Sequence, residues 1–298
     1  MAQPKPAEKI DTDSIGLYTK EGEKIVVSKD QWKEALPEYF EKATDDPDKT
    51  YKLIVVCLQD GLFAECVAPA RRLCAIDSNK ERAVNLLGVV LLKNKLLDEA
   101  EEVLQKYLTE QGQSGVILAN LAKVYVEKGD EKEGYKTLWK ALRIDPNQEN
   151  ALAWWYAIHA ENKKTARLYD SLKKLSEIPG SWRPLIYLAI NSLDDNKSGN
   201  ALALFKKALA IAPGQGDALT IVSGELASRG HVRDALNLVY PLYDARKHGH
   251  AAGLNLILAC ISLKEREKGL QLCDAVEQLG RTDQKEKIKG LREKLQGL

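Results

Sequence analysis

The sequence predicts an all-α repeat array, and three observations predict it: a fixed-period echo, two helical stripes in each period, and small residues recurring where those stripes would meet. Gly88, Ala122, Tyr156, Ala189, Ser223 and Ile257 are each followed, twelve residues on, by Ala100, Gly134, Leu168, Ala201, Ala235 and Gly269. The step is 34 residues throughout, except that Tyr156 to Ala189 and Leu168 to Ala201 are both 33. One deletion, shared by both series, therefore lies between Leu168 and Ala189. A period of this length marks a solenoid, in which each unit buries its apolar face by stacking on its neighbours. Presenting a surface is the business such an array implies.

Residues 1–29 read as a flexible amino-terminal segment. The first ten look disordered, while Leu17–Thr19 and Lys24–Val27 flank Lys20–Glu23 as the arms of a small hairpin, marginal on its own in water. Residues 30–46 read as a capping helix. Ser28-Lys-Asp-Gln31 has the form of a capping box, and Trp32, Ala35, Leu36, Tyr39, Phe40 and Ala43 make an apolar stripe that Pro37 should kink.

The array itself runs over residues 47–283 as about seven units, starting near Pro47, Glu81, Gly115, Glu149, Trp182, Gly216 and His250. The third shows the local logic. Leu118, Leu121, Ala122 and Tyr125 repeat at helical spacing, Glu127-Lys-Gly-Asp130 breaks the pattern, and Gly134, Leu138, Ala141 and Leu142 resume it until Asp145-Pro146-Asn147 stops the second helix. The first unit has Ile54 and Cys66 at the small positions and Pro69 in its second helix, and the sixth carries Pro241 in its second helix. Both helices should kink or run short. In the fourth unit Tyr156 and Leu168 replace both small residues, so its helices should sit farther apart. Residues 284–298 close the array as a capping helix, with Ile288, Leu291 and Leu295 at helical spacing to cover the last unit's apolar end.

Composition excludes several classes of function. Apolar residues make up 44% of the 298 and charged residues 29%, enough to bury a continuous core. With 44 Lys and Arg against 43 Asp and Glu the net charge is +1, which offers no general footprint for nucleic acid or anionic membrane. Met1 to Pro6 leads into charge with no apolar signal core, and no apolar run reaches the ~18 residues of a membrane span. A soluble, cytoplasmic protein is expected. Five cysteines, Cys57, Cys66, Cys74, Cys260 and Cys273, include no CxxC pair, so they read as reduced core residues. Neither GxSxG, P-loop, HExxH nor dinucleotide fingerprint occurs, and no catalytic, cofactor-binding or metal-binding residue is expected. His248 and His250 flank Gly249 in what reads as a solvent-exposed turn between units, in preference to a weak metal site. His159 reads as packing, and Gly214-Gln-Gly216 as an inter-unit turn in preference to a phosphate loop.

Leu121-Ala122 with Tyr125, then Gly129-Asp130, Gly134, Leu138, Ala141 and Asp145-Pro146, resembles the tetratricopeptide repeat, and Leu185, Leu188-Ala189, Ala201, Phe205, Ala208 and Pro213 match the same pattern. The resemblance covers about four-fifths of the chain. It implies a right-handed α-solenoid whose concave wall, lined by the first helix of each unit, binds peptides or protein segments. Carried across, the inward positions are Arg82, Asn85 and Val89; Ala119, Asn120 and Lys123; Asn150, Ala153, Trp154 and Ala157; Arg183, Ile186, Tyr187 and Ile190; then Thr220, Ile221, Leu254, Asn255 and Leu258. Chaperone-binding relatives grip a terminal carboxylate there. Asn120 fits the middle member of that clamp, but Asn85 and Val89 stand in place of its Lys and Asn, and Asn150 and Trp154 in place of its Lys and Arg. The clamp is expected to be absent. What remains is an apolar and amide lining, with Trp154 and Tyr187 either burying partner side chains or packing between units. The expected function is a non-catalytic adaptor or scaffold for a protein or peptide, with an assembly or secretion chaperone as the alternative, an enzyme's accessory subunit after that, and self-association through the exposed ends open.

Overall fold

The computed structural model describes residues 14–18, 24–161, 165–281 and 284–298. The sequence expectation for the first ten residues lies outside these. Strands β1 (Ser14–Tyr18) and β2 (Lys24–Ser28) pair antiparallel, with Ser14 opposite Ser28 and Tyr18 opposite Lys24. Helix α1 (Lys29–Lys42) follows at once. Its capping box is closed in both directions: the Gln31 N–H donates to Ser28 Oγ at 3.2 Å, and the Ser28 N–H donates to Gln31 Oε1 at 3.0 Å. Pro37 lies inside α1, whose Trp32 and Leu36 are buried.

Helical hairpins then succeed one another. The first pairs α2 (Pro47–Gln59) with a 3-10 turn (Ala64–Cys66) and α3 (Val67–Ile76), and the second pairs α4 (Lys80–Lys93) with α5 (Leu97–Gln111). Next come α6 (Gly115–Glu127) with α7 (Glu131–Ile144), α8 (Glu149–Glu161) with α9 (Thr165–Ser176), and α10 (Arg183–Asp194) with α11 (Ser198–Ile211). Helix α12 (Gly216–Ser228) pairs with α13 (Val232–Val239); a 3-10 turn (Tyr240–Leu242) and the one-turn α14 (Ala245–His248) lead to α15 (His250–Leu263) and α16 (Arg266–Glu277), and α17 (Lys285–Gln296) ends the chain. This is the all-α repeat architecture that the period predicts.

The turn inside six of the hairpins repeats at atomic detail. Gly61, Lys95, Gly129, Asn196, Gly230 and Lys264 all have positive φ, between 57° and 91°. They follow one another at the 34-residue step, with one interval that spans two units and carries the deletion. Around each, the next residue's N–H reaches back five positions to the helix: Leu96 to Leu91 O at 3.0 Å, Asp130 to Tyr125 O at 2.9 Å, Glu265 to Cys260 O at 2.9 Å. The left-handed residue's own N–H bonds the carbonyl three back. That is the Schellman arrangement, which satisfies carbonyls a helix end would otherwise leave orphaned.

Small residues do bring paired helices together. A Cβ built on Gly134 would lie 3.0 Å from the Ala122 carbonyl oxygen and 2.5 Å from a Val126 methyl. In the fourth hairpin the enlarged residues go elsewhere. Leu168 is buried, Trp155 Nε1 donates to Ser171 Oγ at 2.9 Å across the pair, and Tyr156 turns to α10, where its hydroxyl donates to Asn191 Oδ1 at 2.8 Å.

Both prolines of the weaker units shorten helices. Pro69 falls in the first turn of the ten-residue α3, where an N–H has no intrahelical partner to lose, and the preceding residues form a separate 3-10 turn. Pro241 stops α13 at eight residues. The deletion is explained the same way. One 34-residue period beyond Ile144, the end of α7, falls on Ile178, but Ile178 precedes Pro179 and is disfavoured from helical ψ, so α9 ends at Ser176.

Contacts divide the chain into two compact units, Met1–Lys140 and Ala141–Leu298. The first has its own core, running from Trp32 and Leu36 through Leu73, Leu91 and Leu104 to Leu121. The second is centred on Phe205, Leu226, Ile257 and Leu272 and sealed by Ile288, Leu291 and Leu295 of α17.

Candidate functional site

The first helices of the first unit carry a polar row. Arg82, near the start of α4, pairs with Asp48 at 2.7 Å and Asp77 at 2.8 Å, and its guanidinium stands 5.1 Å over the Tyr51 ring of α2. Those side-chain hydrogen bonds to Asp48 and Asp77 raise the arginine's pKa above its ordinary value. One turn on, Asn85 Oδ1 accepts a hydrogen bond from Asn120 Nδ2 of α6, and Lys123 Nζ donates to Asn120 Oδ1 at 3.4 Å. Asn120 is 6% exposed and Lys123 half-buried. Burial, and then the neighbouring Lys93 charge, push the Lys123 ammonium's pKa below the usual lysine value.

The second unit's first helices are more apolar. On α8, Asn150, Ala153 and Ala157 are exposed and Trp154 and Tyr156 half-buried. The rings of Tyr156 and Tyr187 meet at 5.1 Å between centroids, and burial raises both phenols' pKa values. Ile190, Thr220 and Ile221 are half-buried, while Leu258 of α15 stands 49% exposed. Asn255 ties α15 to α12, with Nδ2 donating to Thr220 O at 3.1 Å and Ser223 Oγ at 3.0 Å.

Residues 116–148, which hold α6, α7 and the turn between them, match the family model of the tetratricopeptide repeat. That segment carries a tetratricopeptide repeat, and the chain is similar to tetratricopeptide repeat proteins. Over 180 residues, 55% of its length, it is 31% identical to cellulose synthase operon protein C of Pseudomonas fluorescens (strain SBW25), and it spans 14% of that relative. The solved structure of yeast Tom70 is similar in fold, with a TM-score of 0.51 at 12% identity over 90% of this chain and 58% of that one. Pseudomonas aeruginosa pilF is 21% identical over 66% of this chain and 90% of that one, with a TM-score of 0.37.

This repeat array brings some of the inward positions expected from the sequence together and parts others. Asn85, Asn120 and Lys123 form one bonded group in the first unit, beside Arg82. In the second unit Trp154 and Tyr187 are half-buried on α8 and α10, Asn150 is exposed, and Asn255 is spent on α12. Arg183 is 5% exposed and built into the framework: its Nε donates to Asn147 O at 2.8 Å, its guanidinium lies 4.5 Å from the Trp182 ring, and it faces Glu149 at 3.5 Å and Asp217 at 4.0 Å. Ala119, Ile186 and Leu254 are buried against neighbouring helices and so line no surface.

The His248 turn corrects the exposed-turn reading. His248 is 8% exposed, its Nδ1 accepts the Asp244 N–H at 2.9 Å, and its Nε2 lies 3.1 Å from Pro213 O. An acceptor Nδ1 leaves a ring proton on Nε2 to donate, so the imidazole links the Asp244 N–H to the Pro213 carbonyl. Gly216 is required there, because a Cβ would lie 2.3 Å from His248 O. His159 packs on Trp155 at 4.4 Å between ring centroids, with Nδ1 2.9 Å from the Trp155 carbonyl oxygen. Among the described residues no cluster of three or more His, Cys, Asp or Glu could hold a metal, and no helix is long and apolar enough to cross a membrane.

Sequence reasoning missed Lys93, Asn147, Tyr156 and Asn191 as partners. A signal existed: Asn85 with Asn120 and Thr220 with Asn255 are each one 34-residue repeat plus one position apart, and Tyr156 with Asn191 is one 33-residue repeat plus two.

Proposed function

We propose that this chain is a non-catalytic adaptor that holds a protein or peptide segment against the first-helix faces of its repeats. The observation that carries this reading is Leu258. It is 49% exposed on a helix whose Leu254, Leu256 and Ile257 are all buried, and Ile190, Ile221, Tyr187 and Trp154 on the preceding first helices are covered only in part. Apolar side chains left open on successive first helices suit the side chains of a partner segment, and the exposed Asn150 amide suits its backbone. Exposed Ala153 and Ala157 leave room on α8 for close approach. A net charge of +1 supports a protein partner over a nucleic acid.

Photo-cross-linking tests the reading. A photoreactive amino acid at Ala153 or Leu258 should give partner adducts in native lysate, whereas one at the exposed Lys206 on second helix α11 should not. Trp154→Ala should reduce the Leu258 adducts several-fold. Equal adducts from Lys206 would remove the preference for the first-helix face and with it the proposal.

A further inference from the structure

Among the described residues the half-buried and buried arginines are each paired with carboxylates, and half-buried Lys123 is not. Arg82 has Asp48 and Asp77, Arg183 has Glu149 and Asp217, and Arg292 has Asp274 and Glu277. Lys29, at the start of α1, acts on Asp60. Lys123 has no carboxylate within ion-pair distance among the described residues; the charge that acts on it is that of another lysine, Lys93. Lys93 itself is exposed and stands 5.7 Å over the Phe63 ring.

Removing an ammonium from water beside a second positive charge is unfavourable unless something compensates it, and the lone amide oxygen 3.4 Å away is a weak compensation. The neighbouring amides are fixed so as to favour an anion. Asn120 is buried, its Nδ2 donates to Asn85 and its Oδ1 receives Lys123, so its orientation is set from both ends. Asn85 spends its Oδ1 on that bond and keeps its own Nδ2 hydrogens as donors. The α4–α6 face thus offers two ammonium groups and an amide donor.

We propose that this face, Lys123 with Lys93 and Asn85, seats an acidic side chain, Asp or Glu, within the segment of the protein partner that the array holds. This rests on the first-helix faces being the binding faces. An internal carboxylate supplies what Lys123 lacks, accepts from the Asn85 amide and offsets the repulsion from Lys93. The positions differ from those of the terminal-carboxylate clamp, whose Lys and Asn sites hold Asn85 and Val89 here.

The test uses the full chain with its lysines reductively 13C-methylated, which preserves their charge, and follows Lys123 by NMR, assigned with Lys123→Gln. The probes are an end-capped heptapeptide of leucine and serine with one central glutamate, its central-glutamine counterpart, and the glutamine peptide with a free carboxyl terminus. The glutamate peptide should shift the Lys123 signal saturably and bind roughly tenfold more tightly than the glutamine peptide, a gap that narrows with added salt. Lys93→Gln, at an exposed position, should narrow the gap as well. Equal binding of the two capped peptides at the α4–α6 face would overturn this inference while leaving the adaptor reading in place. Preference for the free carboxyl terminus, or no shift of Lys123 with any probe, would overturn it too, and the cross-links from Ala153 and Leu258 report on the adaptor reading independently.

Discussion

Lys264 holds φ at 57° and Lys95 at 61°, in the left-handed region where a Cβ crowds the following carbonyl. Gly129 fills the same place in its own hairpin with φ 91° and no such conflict. Lys264→Gly should therefore raise stability by about 1 kcal/mol, read as a higher urea midpoint, while Lys264→Ala leaves it nearly unchanged. Gly129→Ala should lower it by roughly the same amount. If glycine at 264 proves no better than alanine, the turn is not strained as described. Gly129 was legible as a punctuation mark because glycine breaks helical patterns. Lys264 and Lys95 were not, since lysine carries no turn signal and only the common period with Gly61, Gly129 and Gly230 reveals their role. Arg183 shows the opposite failure. Its motif position suggested a ligand contact, yet its partners Asn147, Glu149 and Asp217 lie in other repeats, and a buried arginine cannot be told from an exposed one along a single chain.

At the scale of elements, the sequence supplied the pairing of helices and the small contacts at Ala122 and Gly134, because each follows from local periodicity. It supplied less where helices end irregularly. The early end of α9 follows from Ile178-Pro179, but what steadies the longer connection is Asn147, from the connection one repeat earlier. Its Oδ1 accepts the Trp182 N–H at 2.9 Å and the Arg183 N–H at 3.0 Å, and its Nδ2 donates to Gly180 O at 2.8 Å. No side chain of Trp182 caps α10, so Asn147 takes over the work of an N-cap from a distance. Asn147→Ala should cost roughly 2–3 kcal/mol by urea unfolding, since it strips two orphan N–H groups and a turn carbonyl of their partners. Asn147→Asp retains the acceptor and should cost less; equal losses would place the effect in the Gly180 bond alone. The α14 segment was read as a simple turn for the same physical reason: His248 is held by Asp244 and by Pro213, 35 residues away, and neither bond has a periodic signature.

Across the whole molecule, the repeat period is written into electrostatics as well as packing. Lys33–Glu65, Arg82–Asp48, Lys95–Glu127, Arg229–Asp194 and Arg233–Glu265 join positions about one repeat apart. Pairs as exposed as Lys95–Glu127 contribute little individually, so the apolar cores must supply most of the stability. Those cores form two separate groups, one through Leu73, Leu91 and Leu104, the other around the fully buried Phe205. In an array whose stability is a sum of repeat and nearest-neighbour contributions, damage to one core stays local. Phe205→Ala should cost roughly 3–5 kcal/mol where it acts. Amide hydrogen exchange should accordingly speed up by orders of magnitude in α10 to α13 while α2 to α5 exchange at the unmodified rate. Acceleration of α2 to α5 to the same degree would mean that the chain unfolds as one cooperative body, and the nearest-neighbour account of its stability would fall.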